Sequence, residues 1–312
     1  MPSPHPSVHQ LSSLKHSGQP SPREPGSGAI LSAIPPPGLV LLAITAIQVG
    51  AGLATHLFPV LGAEGTVAVR IVLSACLLVV AAGGKVRSFG QTFLRNWVLL
   101  AAFGLCVAAM NLFFYQSIAR IPLGAAVAIE FIGPLGVAAL TSRRVSHFVS
   151  VAIAAIGIIL LSPLSGTSLD MLGIVFALLA GVGWACFIVL AGQVGKRVPG
   201  NDGLATAMIV AAITMIPFFA PVAVDLISDP LILIAGFGVA LLSTTIPFTL
   251  EFQALKRLSA RAYGVLVSLE PAVALLVGAV LLDERIGAQG IVAVTCVVTA
   301  AVGITLAESR GK

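Results

Sequence analysis

Pro122-Leu-Gly-Ala-Ala-Val-Ala-Ile-Glu-Phe-Ile-Gly-Pro134 carries a single carboxylate, Glu130, inside an apolar run that extends to Thr141. A run of about 20 apolar residues is long enough to cross a hydrocarbon layer of about 30 Å as a helix. A charge near the middle of such a helix costs about 2.5 to 3.5 kcal/mol on insertion scales. Intramembrane carboxylates therefore face a bundle interior or an aqueous cavity, and they mark solute or proton pathways. A second glutamate, Glu270, stands before Pro271 in another apolar run, Tyr263 to Leu282. The pair predicts an all-α integral membrane protein with a polar site at mid-depth.

Hydrophobic residues make up 58% of the 312 and charged residues only 9%, with a mean hydropathy of +1.06. A soluble domain carries about 25% charged residues, so this chain has too few to give a helical bundle a solvated face. Ten apolar stretches are expected as transmembrane helices. The first half holds Gly38 to Phe58, Gly65 to Gly83, Asn96 to Ala119, Pro122 to Thr141 and Val145 to Ser162. The second holds Asp170 to Ala191, Gly203 to Val222, Pro230 to Leu250, Tyr263 to Leu282 and Gly287 to Leu306. Residues 1–37, rich in Pro, Ser, Gly and His, read as a disordered cytosolic tail. They lack the apolar core and cleavage site of a signal peptide. Residues 307–312 read as a cytosolic C-terminus.

Loop charge orients the chain. With the N-terminus in the cytosol, every Lys and Arg falls on the cytosolic side except Arg120 and Arg285, in outer loops, and Arg70, within a span. This is the asymmetry of the positive-inside rule, and it places both termini inside. The net charge of +5 then reflects topology and attraction to an anionic leaflet rather than nucleic-acid binding.

The chain also repeats. Tyr115, Gln116, Arg120, Ala125 and Pro134 are matched 137 residues later (252 − 115) by Phe252, Gln253, Arg257, Ala262 and Pro271. Five helices per repeat, 38–162 and 170–306, is an odd number, so the second copy enters the membrane from the opposite side. Inverted repeats of this kind are the architecture of secondary transporters, whose solute site lies near the midplane between the halves.

The candidate site gathers the polar residues of these spans. Pro134 lacks an amide proton and would free the carbonyl of Glu130, while Gly133 loosens the same turn. Pro271 would do the same for Val267. Glu130 and Glu270 are read as solute or proton ligands, with a paired or protonated structural carboxyl as the alternative for Glu130 and reach to the cytosolic head groups as the alternative for Glu270. Arg70, about six residues into its span, is read as a counter-charge to a carboxylate or as a side chain snorkelling to the surface. Gln48, Asn111, Tyr115 and Gln116 add uncharged hydrogen-bonding groups suited to a small hydrophilic solute. Glu251 is assigned a helix-end role beside Lys256 and Arg257. The four cysteines show no CxxC spacing, so neither a disulfide framework nor a metal site is expected. No Walker motif or ATPase domain is present in the sequence, and no cofactor is implied. Energy is expected from a gradient, with an intramembrane carboxylate as the natural proton carrier.

Several segments together carry a family resemblance: Gln48-Val-Gly-Ala-Gly-Leu-Ala54, Val69-Arg-Ile71, Met110-Asn-Leu-Phe-Phe-Tyr115, Pro122 to Pro134, Ser142-Arg-Arg144, Leu242-Ser-Thr-Thr-Ile-Pro247 and Ser268-Leu-Glu-Pro271. Over about Gly38 to Ala307 the chain resembles the EamA-type drug/metabolite transporter superfamily, and within it the threonine/homoserine exporter branch. The resemblance implies export of threonine, homoserine or similar amino acids from the cytosol across the bacterial cell (inner) membrane. The partners expected are a small amino acid, a proton and the lipid bilayer, with no nucleic acid and with a homodimer left open. The rival expectation is a broad-specificity metabolite or drug exporter. A membrane-embedded enzyme is disfavoured because no His-Asp pairing, metal spacing or nucleophile motif is found.

Overall fold

The computed structural model describes residues 34–81, 86–141, 169–198, 202–247, 266–285 and 287–309, with the helical stretch 152–157 and a few single residues between them. The expected stretch Val145 to Ser162 falls largely outside the described residues, as do tail residues 1–33, Ser142 to Arg144, Glu251, and Lys256 with Arg257. Among the described residues every regular element is helical and none is a strand. A chain this apolar satisfies its backbone donors and acceptors within each helix.

In chain order the helices are α1 (Pro36–Thr55), α2 (Phe58–Ala81), α3 (Val86–Arg95), α4 (Trp97–Ile118), α5 (Leu123–Glu130), α6 (Ile132–Thr141), α7 (Met171–Arg197) and α8 (Asp202–Phe219). A 3₁₀ turn, Ala220–Val222, leads to α9 (Ala223–Ser228) and α10 (Pro230–Ala240). A π-helical turn, Leu241–Thr245, follows. The remaining helices are α11 (Glu270–Leu281) and α12 (Ala288–Ser309). Pro36–Thr55, Phe58–Val80, Trp97–Ile118, Met171–Val194 and Gly203–Ser228 are each long and apolar enough to cross a membrane. Shorter apolar helical segments cover Leu123–Val137, Pro230–Thr245, Glu270–Leu281 and Ala288–Gly303. Asp170 and Asp229 cap α7 and α10, their carboxylates accepting from the N–H of Leu172 (3.0 Å) and Leu231 (2.8 Å).

Several boundaries differ from the sequence reading. α2 begins at Phe58 rather than Gly65, bending at Gly62, whose φ of 68° only glycine adopts freely. Arg70 therefore sits near the middle of its helix, which corrects the expectation that it lies near an end. The seventh stretch continues as helix through Ser228 rather than stopping at Val222. Residues 86–95, expected as part of a loop, form α3, a strongly amphipathic helix ending in Arg95 and packed against α8 and α4.

Helices of the first half find their main partners in the second: α4 packs on α7, α2 on α8, and α5 and α1 on α11. Pro36–Lys312 is thus one interlocked body. Its packing surfaces are built largely from small residues, with Ala43, Ala54, Ala126, Ala128, Ala177, Ala207 and Ala274 fully buried. Large apolar side chains such as Val280 (83% exposed) and Leu231 (76%) face outward. Large aliphatic side chains turned outward in this way suit a lipid surround. The four cysteines are free thiols, and Cys76 and Cys186 are on the outer face.

One end of the body is tied by polar contacts between the halves. Ser117 Oγ donates to the Gly173 carbonyl at 2.9 Å, and Arg120 Nε lies 4.0 Å from Asp170. The backbone N–H of Leu123, at the start of α5, donates to Glu284 Oε1 at 2.8 Å. Pro122, the cap residue of α5, supplies no side-chain acceptor of its own, so Glu284 caps the helix from the other half. Burial raises the Glu284 carboxyl above the ordinary carboxylate value of 4.5, with the Leu123 N–H pulling it partly back. A raised folded-state value means that the folded protein holds this proton more tightly than the unfolded chain. Stability accordingly falls as pH rises from 4.5 toward the folded value. Glu284→Gln is expected to lack this decline. Wild type and variant should differ least in acid, and the variant should gain relative stability toward neutrality, as read by thermal unfolding in detergent across that range.

Candidate functional site

α5 and α6 form one broken span. The helix interrupts at Phe131, directly after Glu130 and three residues before Pro134. The ninth stretch breaks in the same sense, with a turn at Ser268 and Leu269 immediately before Glu270 opens α11. Pro271 lies in the first turn of α11, where a missing N–H costs nothing, so it starts a helix rather than interrupting one. Each glutamate thus stands beside a break. Irregular backbone at membrane depth is tolerated where it is buried in protein or lines a cavity.

Both conditions hold here. Glu130, 7% exposed, and the half-buried Glu270 border a cavity of about 280 Å³ together with Arg70, Asn111, Ser243 and Thr244. Trp184, Phe187 and Phe114 supply its aromatic wall, and the Trp184 ring meets Phe131 edge-on at 5.3 Å. Arg70 Nη1 donates to Asn111 Oδ1 at 2.8 Å and Nη2 to the Ser243 carbonyl at 3.2 Å, while the Tyr115 ring lies 5.6 Å beneath the guanidinium. The guanidinium is held inside the bundle, which replaces the snorkelling alternative. Among the described residues no carboxylate comes within 4.0 Å of it, and its Nε is buried without a partner. Glu270 and Arg70 are both near enough to Glu130 to act on its charge. Gln48 Nε2 donates to Glu270 Oε1 at 3.0 Å.

The expected residues separate into three positions. Glu130, Glu270, Arg70 and Asn111 border the cavity. Gln48 and Tyr115 stand behind it, holding Glu270 and Arg70 respectively. Gln116 does not join them: it binds Arg120, with its carbonyl accepting from Nη1 at 2.7 Å and its side-chain oxygen accepting from the same atom. The Gln116–Arg120 spacing of four residues (120 − 116) already pairs them on one helix face. The carbonyl of Glu130, expected to be open to a ligand, instead lies against Gly181 of α7, where a Cβ would come within 2.7 Å of its oxygen. Ser243 and Thr244 were absent from the sequence reading, although they fall within the quoted segment Leu242 to Pro247. Among the described residues no cluster of three His, Cys, Asp or Glu side chains could hold a metal.

Residues 171–306 match the EamA-like transporter family. The chain is also 38% identical over 297 residues to the threonine/homoserine exporter RhtA of Salmonella typhimurium, covering 92% of this chain and 96% of that one.

The chain belongs to the EamA-like transporter family.

The threonine/homoserine exporter RhtA of Escherichia coli K12 is 36% identical over 293 residues, covering 90% of this chain and 95% of its own. A solved crystal structure superposes with a TM-score of 0.56 over 87% of this chain and 98% of its own. At 18% identity it supports the fold alone. Membership places this EamA-like chain among transporters rather than enzymes, and the cavity shared by its two halves is where a transported solute would be sought.

Proposed function

We propose that the protein is a secondary active exporter of small amino acids of the threonine and homoserine kind. In this reading it works across the bacterial inner membrane by proton-coupled alternating access. The topology proposed with it is ten spans in two inverted five-helix repeats, with both termini cytosolic. Arg95, Lys196 and Arg197 then lie at the cytosolic end, and Arg120, Asp170 and Glu284 at the outer end.

The observation that carries the reading is one cavity bordered by Arg70, Glu130 and Glu270 together. An amino acid at neutral pH bears an ammonium and a carboxylate. The ammonium suits Glu130, and the carboxylate suits Arg70, whose Nε is unpaired. The cavity, about 280 Å³, is just below the usual range of about 300–1,000 Å³ for drug-sized ligands. Its size favours a small zwitterion over the bulky solutes of a broad-specificity exporter, and the similarity to threonine/homoserine exporters supports the same choice. A proton binding the carboxylate pair in exchange for the solute ammonium would couple export to the gradient.

The test is counterflow in proteoliposomes. Labelled threonine and homoserine are expected to accumulate against unlabelled pools and to respond to an imposed pH gradient. Failure of both amino acids to exchange would overturn the substrate assignment, and exchange indifferent to the gradient would overturn proton coupling.

A further inference from the structure

Serine and threonine hydroxyls inside helices usually bond back to the carbonyl four residues earlier. Thr45, Thr66, Thr214 and Thr295 all do so here, at 2.7 to 2.9 Å. Ser243 does not: its Oγ is buried with no hydrogen-bond partner. The cause is the π-helical turn Leu241–Thr245, which widens the backbone ladder and re-aims its groups. The carbonyls of this region turn to α2 instead, with Ala240 accepting from Ser74 Oγ at 3.5 Å and Ser243 from Arg70 Nη2 at 3.2 Å. The Ser243 hydroxyl itself packs against Gly50 of α1, where a Cβ would fall 2.3 Å from its oxygen. Ser243 is 7% exposed and borders the cavity. A buried polar atom left unpaired beside a cavity needs an explanation, and Arg70 Nε in the same site is unpaired as well.

We infer that Ser243 is a specificity-determining residue that hydrogen-bonds the side-chain hydroxyl of the transported amino acid. The inference rests on the proposed amino-acid export and adds to it what separates hydroxylated from plain aliphatic substrates. Ser243 is suited to this because its own carbonyl is fixed to Arg70, the group proposed to hold the substrate carboxylate, so its hydroxyl stands within one residue of that anchor. In threonine the hydroxyl is likewise one carbon removed from the carbon bearing ammonium and carboxylate. A site built to bond a hydroxyl discriminates against an isostere lacking it, because the protein group is then left unpaired.

The experiment is counterflow in proteoliposomes with isosteric pairs, L-threonine against L-valine and L-homoserine against L-norvaline. Wild type is expected to prefer the hydroxylated member of each pair. Ser243→Ala is expected to lower both preference ratios about fivefold, the size of one neutral hydrogen bond. Gly50→Ala, which displaces the hydroxyl, is expected to lower them in the same direction, and Ser243→Cys to give intermediate ratios. Equal loss of threonine and valine exchange in Ser243→Ala would make the residue a packing element and overturn the inference. So would a wild type that exchanges valine as well as threonine, although amino-acid export itself would stand. A wild type that exchanges no amino acid would overturn both readings. If Ser243→Ala does not assemble, the wild-type ratios and those of Ser243→Cys decide the matter in the same terms.

Discussion

Alanine at Gly133 is expected to leave little folded protein. A Cβ there would lie 2.0 Å from the Gly181 carbonyl oxygen and 2.7 Å from its carbon, both backbone atoms of α7. The contact is reciprocal, since a Cβ on Gly181 would meet the Glu130 carbonyl oxygen at 2.7 Å. Neither neighbour can yield by rotating a side chain, so the broken span must lift off α7 as a unit. Overpacking that side chains can absorb costs about 1–3 kcal/mol, and a backbone clash is expected at the top of that range or beyond. Gly136 supplies the control on the same helix, because a Cβ there meets nothing within 4 Å. Gly136→Ala is expected to be neutral or to stabilise by about 0.5–1 kcal/mol through helix propensity. Thermal unfolding and monodispersity in detergent compare the two. A Gly133→Ala protein as stable as Gly136→Ala would mean that the α6–α7 contact does not hold the span in place.

Glu130→Gln is expected to lower threonine counterflow about 100-fold, the equivalent of about 2.7 kcal/mol and within the range of a hydrogen bond to a charged group. Glutamine keeps the size of the side chain and its hydrogen-bonding capacity but loses the charge and the exchangeable proton. Whatever exchange remains is expected to ignore an imposed pH gradient. Glu270→Gln is the informative companion, since Gln48 already occupies one Glu270 oxygen and would continue to bond an amide there. Its loss is expected to be smaller, about tenfold. Retained transport with unchanged gradient dependence in Glu130→Gln would remove this residue from the coupling step and shift attention to Glu270.

Much of this arrangement was legible in the residues. A carboxylate in an apolar run has few tolerable environments, so Glu130 could be assigned to a cavity from its surroundings, whereas Glu270, nearer the end of its stretch, was equally placed to reach the head groups. Arg70 followed the same logic, although its depth was misjudged because Phe58 to Glu64 reads as loop when Gly62 and Glu64 interrupt the apolar pattern. The helix survives there by bending at Gly62, with Thr66 Oγ1 bonding the Gly62 carbonyl at 2.7 Å. The amphipathic pattern of Val86 to Arg95 was present in the sequence and is of the kind that marks an interfacial helix. The π turn was not legible. Leu241 to Thr245 has the composition of an ordinary helical turn, and only the shift of its hydrogen bonds leaves the buried Ser243 hydroxyl without a partner. Partner choice among helices was equally hidden, because every apolar face looks alike until small residues such as Gly133 and Gly181 find each other.

The crosswise pairing of helices bears on biogenesis. During synthesis α5, eight residues long and ending in a carboxylate, emerges well before α7 and α11, the helices that bury it. Until translation delivers them, the first half lacks the helices that bury Glu130, and its carboxyl must meanwhile be hydrated, paired or protonated. Membrane insertion of this chain is therefore a deferred assembly, in which the segment that borders the cavity waits for neighbours made after it.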